Sequence, residues 1–239
     1  MGMKERQFKM FKLIKRLRKN EETAPKGTDF KKYELEVIAV AYEKLGALMV
    51  FVQSWINQTE TNWKLHVIHD GENEKFSQIM EEYQNRYPEQ ISFQCTKIRF
   101  NDYGHSLRQI GLKNASGDYV LLTNADNYYI PETVRYINAE LGKAAHGKPD
   151  VLIFDMVHSH QNPGKQKAPS YSYFNVSFKR KYIDMGAAFI STELARKAGF
   201  SDKSFAADAT YFEEVLKAKK ESGQKLVVLK IPRVLFVHN

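Results

Sequence analysis

The sequence predicts an α/β fold, a doubly wound and mostly parallel sheet flanked by helices, in a single domain over residues 33–239 behind a basic amino-terminal helix. Three observations carry this. Short apolar runs of strand character alternate with longer stretches of helical periodicity. The chain has 239 residues, 43% of them hydrophobic, and so is long enough to bury a sizeable core. The order strand, helix, strand, helix, strand calls for parallel pairing with right-handed crossovers, and such sheets bind ligands beyond the carboxyl ends of their strands.

From the amino terminus, residues 1–20 read as a basic amphipathic helix. Met10, Phe11, Leu13, Ile14 and Leu17 fall on one arc, whereas Lys9, Lys12, Lys15, Arg16 and Lys19 fall on the other; Phe8 and Arg18 break the pattern. Such a helix could lie on an anionic membrane surface, bind a partner protein, or pack on its own domain, and a solvated tail has the same composition. Residues 1–32 carry eleven Lys/Arg against four Asp/Glu, which accounts for seven of the eight net positive charges. The remainder is near neutrality, without the basic face that nucleic-acid binding requires. Residues 21–32, with Pro25 and Gly27 among polar neighbours, read as a linker.

Leu35–Ala41 is the first buried strand, followed by a helix over Glu43–Ile56 and a second strand, Trp63–His69, that stops at the turn signal Asp70-Gly71. A helix with Phe76, Ile79, Met80 and Tyr83 on one face ends at Tyr87-Pro88, and a third strand is expected over Ile91–Ile98. A helix around Gly104–Asn114 then leads into the most apolar strand, Tyr119–Thr123. Cys95, the sole cysteine, sits in a strand-like run and reads as a buried thiol in a reducing compartment. No run approaches eighteen apolar residues, and the basic start lacks the apolar stretch of a secretory signal. The expected location is cytoplasmic, peripheral on the inner face of a membrane if the basic helix binds there.

Asp126 follows the most apolar strand directly, so its carboxylate falls where a ligand crevice forms. Mg²⁺ or Mn²⁺ beside a diphosphate needs only one or two carboxylates. A plain Asx turn made by Asn124, Asp126 and Asn127 is the competing reading. His158 and His160 would face the same way on a strand and could chelate a metal, but the polar stretch Gln161–Lys167 that follows favours a loop.

An ordered set of motifs surrounds Asp126: Asn101-Asp-Tyr-Gly104, Arg108, Gly111, Ala115-Ser-Gly-Asp-Tyr119, and Leu121-Leu-Thr-Asn-Ala-Asp126. Upstream stand Ala39-Val-Ala-Tyr42, Val52-Gln-Ser-Trp-Ile-Asn-Gln-Thr59 and His69-Asp70-Gly71; downstream, Gly199-Phe200 and Phe205-Ala-Ala-Asp208. The set resembles, from about Leu35 to His238, the family two inverting glycosyltransferases with the GT-A fold, a Rossmann-like architecture. The resemblance implies a metal-assisted hexosyltransferase that moves a sugar from a nucleotide-diphosphate donor, a UDP-sugar first of all, to a hydroxyl acceptor such as a growing surface polysaccharide. It implies that Asp70 accepts a hydrogen bond from the donor's base with Tyr42 as a wall for that ring. Arg108 would contact nucleotide or phosphates, and Asn124 and Ala125 would lie along the donor. Asp126 and His238 would hold the divalent cation, with a surface histidine as the alternative for His238. Asp208 would be the general base, with Glu213 and Glu214 as weaker alternatives; Asp184 would bind a sugar hydroxyl or merely cap a turn, and Gly186 would let backbone approach the ligand.

Two positions depart from the family pattern: Asn124 stands where D-x-D has its first acid, and Ala207 stands beside Asp208 where the family has a second. They leave open a catalytically degenerate nucleotide-binding or membrane-associated scaffold. A nucleotidylyltransferase is the third reading, but the first strand ends Val-Ala-Tyr-Glu-Lys, without a Gly-rich loop to hold a triphosphate.

Overall fold

The structure, a computed structural model, describes residues 32–143, 147–159 and 171–239. The basic helix expected over residues 1–20 lies outside the described residues, as do His160 and the polar stretch after it. Strand β1 (Leu35–Ala41) is buried along its whole length, because parallel neighbours flank it and helices cover the sheet. Strands β2 (Trp63–His69), β3 (Ile91–Cys95) and β4 (Tyr119–Asn124) give the parallel order β3-β2-β1-β4. The crossovers run through α1 (Leu45–Ile56), α2 (Glu74–Arg86) and α3 (His105–Asn114). Asn73 caps α2 by accepting the Phe76 N–H at 3.2 Å. Gly111 brings α3 onto β1 so closely that a Cβ there would lie 2.4 Å from Ile38 Cγ2.

The second half of the sheet is mixed. It contains β5 (Tyr128–Tyr129), β6 (Val151–Ser159), β7 (Tyr171–Phe174), β8 (Ala188–Ser191) and β9 (Val228–His238). The order continues from β4 through β8, β6 and β9 to β5, with β7 paired on the far end of β6. Helices α4 (Thr133–Lys143), α5 (Thr192–Ala198) and α6 (Ala207–Glu221) complete this half. The last strand, β9, runs parallel to β6 and antiparallel to β5, so the carboxyl-terminal residues reach the loop that follows β4. Phe236 stacks on Tyr129 at 5.1 Å, and both are fully buried.

Four local expectations change. Helix α1 begins at Leu45 rather than Glu43, because Glu43 (φ 53°) and Lys44 (φ 51°) are left-handed. Strand β3 stops at Cys95 rather than Ile98: the Thr96 hydroxyl donates to the Ile98 carbonyl at 2.8 Å and accepts the Gly71 N–H at 2.8 Å, turning the chain. Cys95 is consequently half-buried rather than buried, its Sγ 3.6 Å from Ser77 Oγ. His158 belongs to strand β6, paired with His238 on one side and Ser172 on the other, and not to a loop.

Candidate active site

The register of the parallel half levels the strand ends, aligning Ala41 with His69, His69 with Cys95, and Val40 with Asn124. Each end then leaves the sheet into a loop that a neighbour ties down. The Asp70 N–H donates to Ala41 O at 3.0 Å, and the Ala125 N–H donates to Val40 O at 2.9 Å. The Asp70 carboxylate accepts the Phe100 N–H at 2.8 Å and the Asn101 N–H at 2.9 Å, which fixes the loop after β3. A cavity of about 360 Å³ opens between these ends, lined by Tyr42, Lys44, Asp70, Arg99, Tyr103 and Asp126 among others, with Asn124 and Ala125 at its floor. Its place beyond the carboxyl ends of adjacent parallel strands is where such sheets bind ligands.

Arg108 lies one layer beneath. It is 3% exposed, and its guanidinium donates to Tyr103 O at 2.8 Å and to Asn124 Oδ1. His105 Nδ1 stands 3.3 Å from Arg108 Nη1, and its Nε2 stands 3.0 Å from Ser204 O. That pattern assigns the imidazole proton to Nε2, with Nδ1 accepting from Arg108. Burial and then the Arg108 charge push the His105 pKa down, which disfavours the charged ring. Burial also lowers Arg108 from its ordinary value, opposed by the charges of Asp208, Asp184 and Asp102. The guanidinium expected on the donor therefore props Asn124 and the Tyr103 loop from within the protein.

On the cavity wall, Asp126 Oδ2 receives the Lys44 ammonium at 2.7 Å, while Asp126 Oδ1 is buried without a hydrogen-bond partner. The end of β9 closes against this loop: Asn239 Nδ2 donates to Asp126 O at 2.9 Å and Asn239 N to Asn127 Oδ1 at 3.3 Å. His238 Nε2 stands 3.6 Å from Asp184 Oδ2, and the ring stacks on His158 at 4.3 Å between centroids. Among the described residues no three His, Cys, Asp or Glu side chains gather as a cation cage. The unpartnered Asp126 Oδ1 nevertheless fits a hard cation that takes one carboxylate and fills its shell from phosphate oxygens and water.

A family model described as Glycosyl transferase family 2 matches residues 36–201, more than two thirds of the chain. This chain belongs to glycosyl transferase family 2. The match takes in Tyr42, Asp70, Arg108, Asn124, Asp126 and Asp184, and ends before Asp208 and His238. The chain is 20% identical over 160 residues to the uncharacterized glycosyltransferase YwdF of Bacillus subtilis, an alignment covering 65% of this chain and 58% of that protein. Among solved structures it is similar to S. aureus TarS 1-349 in complex with UDP, at a TM-score of 0.67 and 18% identity over 85% of this chain and 60% of that one. It is also similar to the mannosyltransferase PcManGT from Pyrobaculum calidifontis in complex with GDP-Man and Mn²⁺, at a TM-score of 0.60 and 14% identity, covering 94% of this chain and 63% of that one. The chain thus spans about three fifths of the length of these relatives. The fold is GT-A.

On this family 2 scaffold, Asp208 sits in the first turn of α6, half-buried, and its charge bears on Arg108, His105 and Asp184. Asp202 anchors the start of that helix by accepting the Ser204 N–H at 2.8 Å and the Thr210 hydroxyl at 2.7 Å, which pull its own pKa down to about 2. The alternative bases are committed elsewhere: Glu213 pairs with Arg180 at 2.7 Å and Glu214 with Lys217 at 3.2 Å. Asp184 accepts the Gly186 N–H at 2.8 Å and so caps the 3-10 turn Met185–Ala187. Burial pushes the Asp184 carboxyl up, with His238 pulling it down and Asp208 pushing it up again. The side-chain direction of Gly186 faces protein. A Cβ there would meet Phe236 at 2.8 Å, the Tyr129 hydroxyl at 2.9 Å and Thr123 Oγ1 at 3.1 Å, so the missing side chain makes room for the core.

Sequence reasoning missed Lys44, Arg99 and Tyr103 as cavity walls. Arg99 lies 3.8 Å over the Tyr42 ring and donates to Asn101 Oδ1 at 3.1 Å. Asn101 (φ 54°) and Tyr103 (φ 59°) are left-handed, as are Glu43 and Lys44. The Asn-Asp-Tyr-Gly run was the available signal for the Tyr103 loop, since Asn and Gly tolerate such backbone. Nothing in Glu43-Lys44 announces it, as neither residue type favours positive φ.

Proposed function

We propose that the protein is an inverting glycosyltransferase that moves a sugar from a nucleotide-diphosphate donor, of the UDP type, to a hydroxyl acceptor such as a growing glycan. One observation carries the reading: the levelled strand ends form a cavity that brings Tyr42, Asp70, Asn124, Ala125 and Asp126 together. TarS, which shares the fold, is known in complexes with UDP and with UDP-GlcNAc. Tyr42 walls the base, and Asp70 retains acceptor capacity on both oxygens after its two backbone bonds. Arg108 acts through Asn124, holding its amide oxygen so that the amide N–H groups point to donor hydroxyls or phosphate.

Asp208 takes the proton of the acceptor hydroxyl as that oxygen attacks the anomeric carbon; the bond from that carbon to the diphosphate oxygen breaks and the nucleoside diphosphate leaves with the electron pair. A positioned base of this kind contributes about 10²–10⁴-fold. A divalent cation held by Asp126, with His238 completing its shell, would offset charge on the departing diphosphate. The basic amino-terminal segment would keep the enzyme at an anionic membrane surface where a glycan grows.

The test is a panel of nucleotide sugars with Mn²⁺, Mg²⁺ or EDTA, scored for release of nucleoside diphosphate and for donor binding. One donor should be turned over slowly, and Asp208→Asn should lower kcat by about 10²–10⁴-fold while donor binding persists. If no donor binds, or if Asp208→Asn and Asp126→Asn both leave turnover intact, the transferase reading fails and a scaffold built on the lost acids at Asn124 and Ala207 takes its place.

A further inference from the structure

The cavity contains one ion pair that the transferase reading does not use. Lys44 Nζ lies 2.7 Å from Asp126 Oδ2, on the very carboxylate assigned to the cation. The Lys44 side chain is 67% exposed and that of Asp126 18%, so the pair stands at the mouth of the cavity. The backbone is bent to place it there: Lys44 sits at φ 51°, ψ 47°, straight after a second left-handed residue, Glu43. A left-handed lysine is an outlier, and outliers persist where surrounding structure requires them. The pairing itself is weak, since an exposed ammonium loses side-chain entropy and is screened by water and salt.

We infer that Lys44 is a placeholder for the cation, held by Asp126 in the free protein and passed to the donor's diphosphate on binding, so that cation and nucleoside diphosphate bind together rather than separately. This rests on Asp126 being the cation's carboxylate. With Lys44 in place the pair is neutral, and a divalent ion meets an ammonium where it needs an oxygen. Only Oδ1 is left to it, because Asn124 supplies no second charge at this site. A diphosphate changes the balance by bringing negative oxygens into the cavity. The flexible lysine stem lets the ammonium turn to them with its three donors, which releases Oδ2. The carboxylate and the phosphate oxygens then face the cation together. By linkage, whatever factor the nucleotide adds to cation affinity the cation adds to nucleotide affinity.

The experiment is Mn²⁺ binding to the full chain, read from the loss of the free-ion paramagnetic resonance signal, alone and with UDP, GDP or uridine. Wild type should bind Mn²⁺ weakly by itself and about 5–150-fold more tightly with the matching diphosphate, and uridine, which lacks phosphates, should have no effect. Lys44→Met should bind Mn²⁺ more tightly than wild type without nucleotide and show a smaller gain with diphosphate. Lys44→Arg, which keeps the charge, should behave as wild type does. Nucleotide binding in EDTA should weaken in Lys44→Met. Equal Mn²⁺ affinity of wild type and Lys44→Met without nucleotide would overturn the placeholder while leaving Asp126 as a ligand. Mn²⁺ binding that survives Asp126→Asn, or no binding under any condition, would remove the cation site and the placeholder with it.

Discussion

Glu36 shows what a single buried acid does in this fold. It is 1% exposed on β1, yet its carboxylate is fully engaged: Oε1 stands 3.1 Å from His66 Nε2, and Oε2 accepts the Ser116 N–H at 2.7 Å and the Gly117 N–H at 2.6 Å. Burial raises its pKa, but the bonds from His66, Gly117 and Ser116 outweigh burial and leave it below its ordinary value of 4.5. Because the folded value is depressed, the stabilisation is present above the unfolded value and is lost as pH falls through the folded one. Glu36→Gln should therefore cost about 1–3 kcal/mol at pH 7. In urea unfolding, the gap between wild type and variant should close as the pH falls well below 4.5. A constant gap across that range would assign the effect to packing instead. None of this was visible in the sequence, where Glu36 reads as a polar break in an apolar strand.

The elements divide by how local their causes are. Strands β1 and β2 appear with the expected bounds, since an apolar run between turn signals is a sufficient instruction when both faces are buried. The start of α1 is not legible because positive φ at Glu43 and Lys44 has no sequence signal, and β3 ends three residues before its apolar run does because Thr96 bonds across the turn. Strand β8 has four residues and exists by pairing with β4 and β6, so its cause lies about seventy and about forty residues upstream, respectively. The same holds for His158, whose strand continues because β9 lies beside it. At this scale the tightest seam is α3 on β1. Gly111→Ala would press a methyl onto Ile38, and should lower stability by about 1–3 kcal/mol, seen as a lower Tm with an unchanged folded circular dichroism spectrum.

In the described domain as a whole, the end of the last strand is tied to the Asp126 loop. Phe236 on β9 stacks on Tyr129, whose hydroxyl donates to Gly186 O at 2.9 Å and lies 2.8 Å from Thr123 Oγ1. One aromatic pair thus joins the Asp126 loop, the Asp184 turn and the His238 strand end. Phe236→Ala should cost about 3–5 kcal/mol and raise amide hydrogen exchange together in β5, the 184–187 turn and the end of β9. Exchange confined to β9 would show that the three segments are held independently. Of the residues that the motifs named, Tyr42, Asp70, Asn124, Ala125 and Asp126 line one cavity, because strand ends place them. Their partners come from distant elements, so Lys44 on Asp126 and Asp184 beside His238 emerge only from the fold. Four of the five left-handed non-glycine residues among those described, Glu43, Lys44, Asn101 and Tyr103, line the cavity. Each such residue costs roughly 1–2 kcal/mol, which glycine would largely recover. A library of this protein selected for heat tolerance alone should accordingly drift toward glycine in these two loops, gaining melting temperature as it loses side chains that line the cavity.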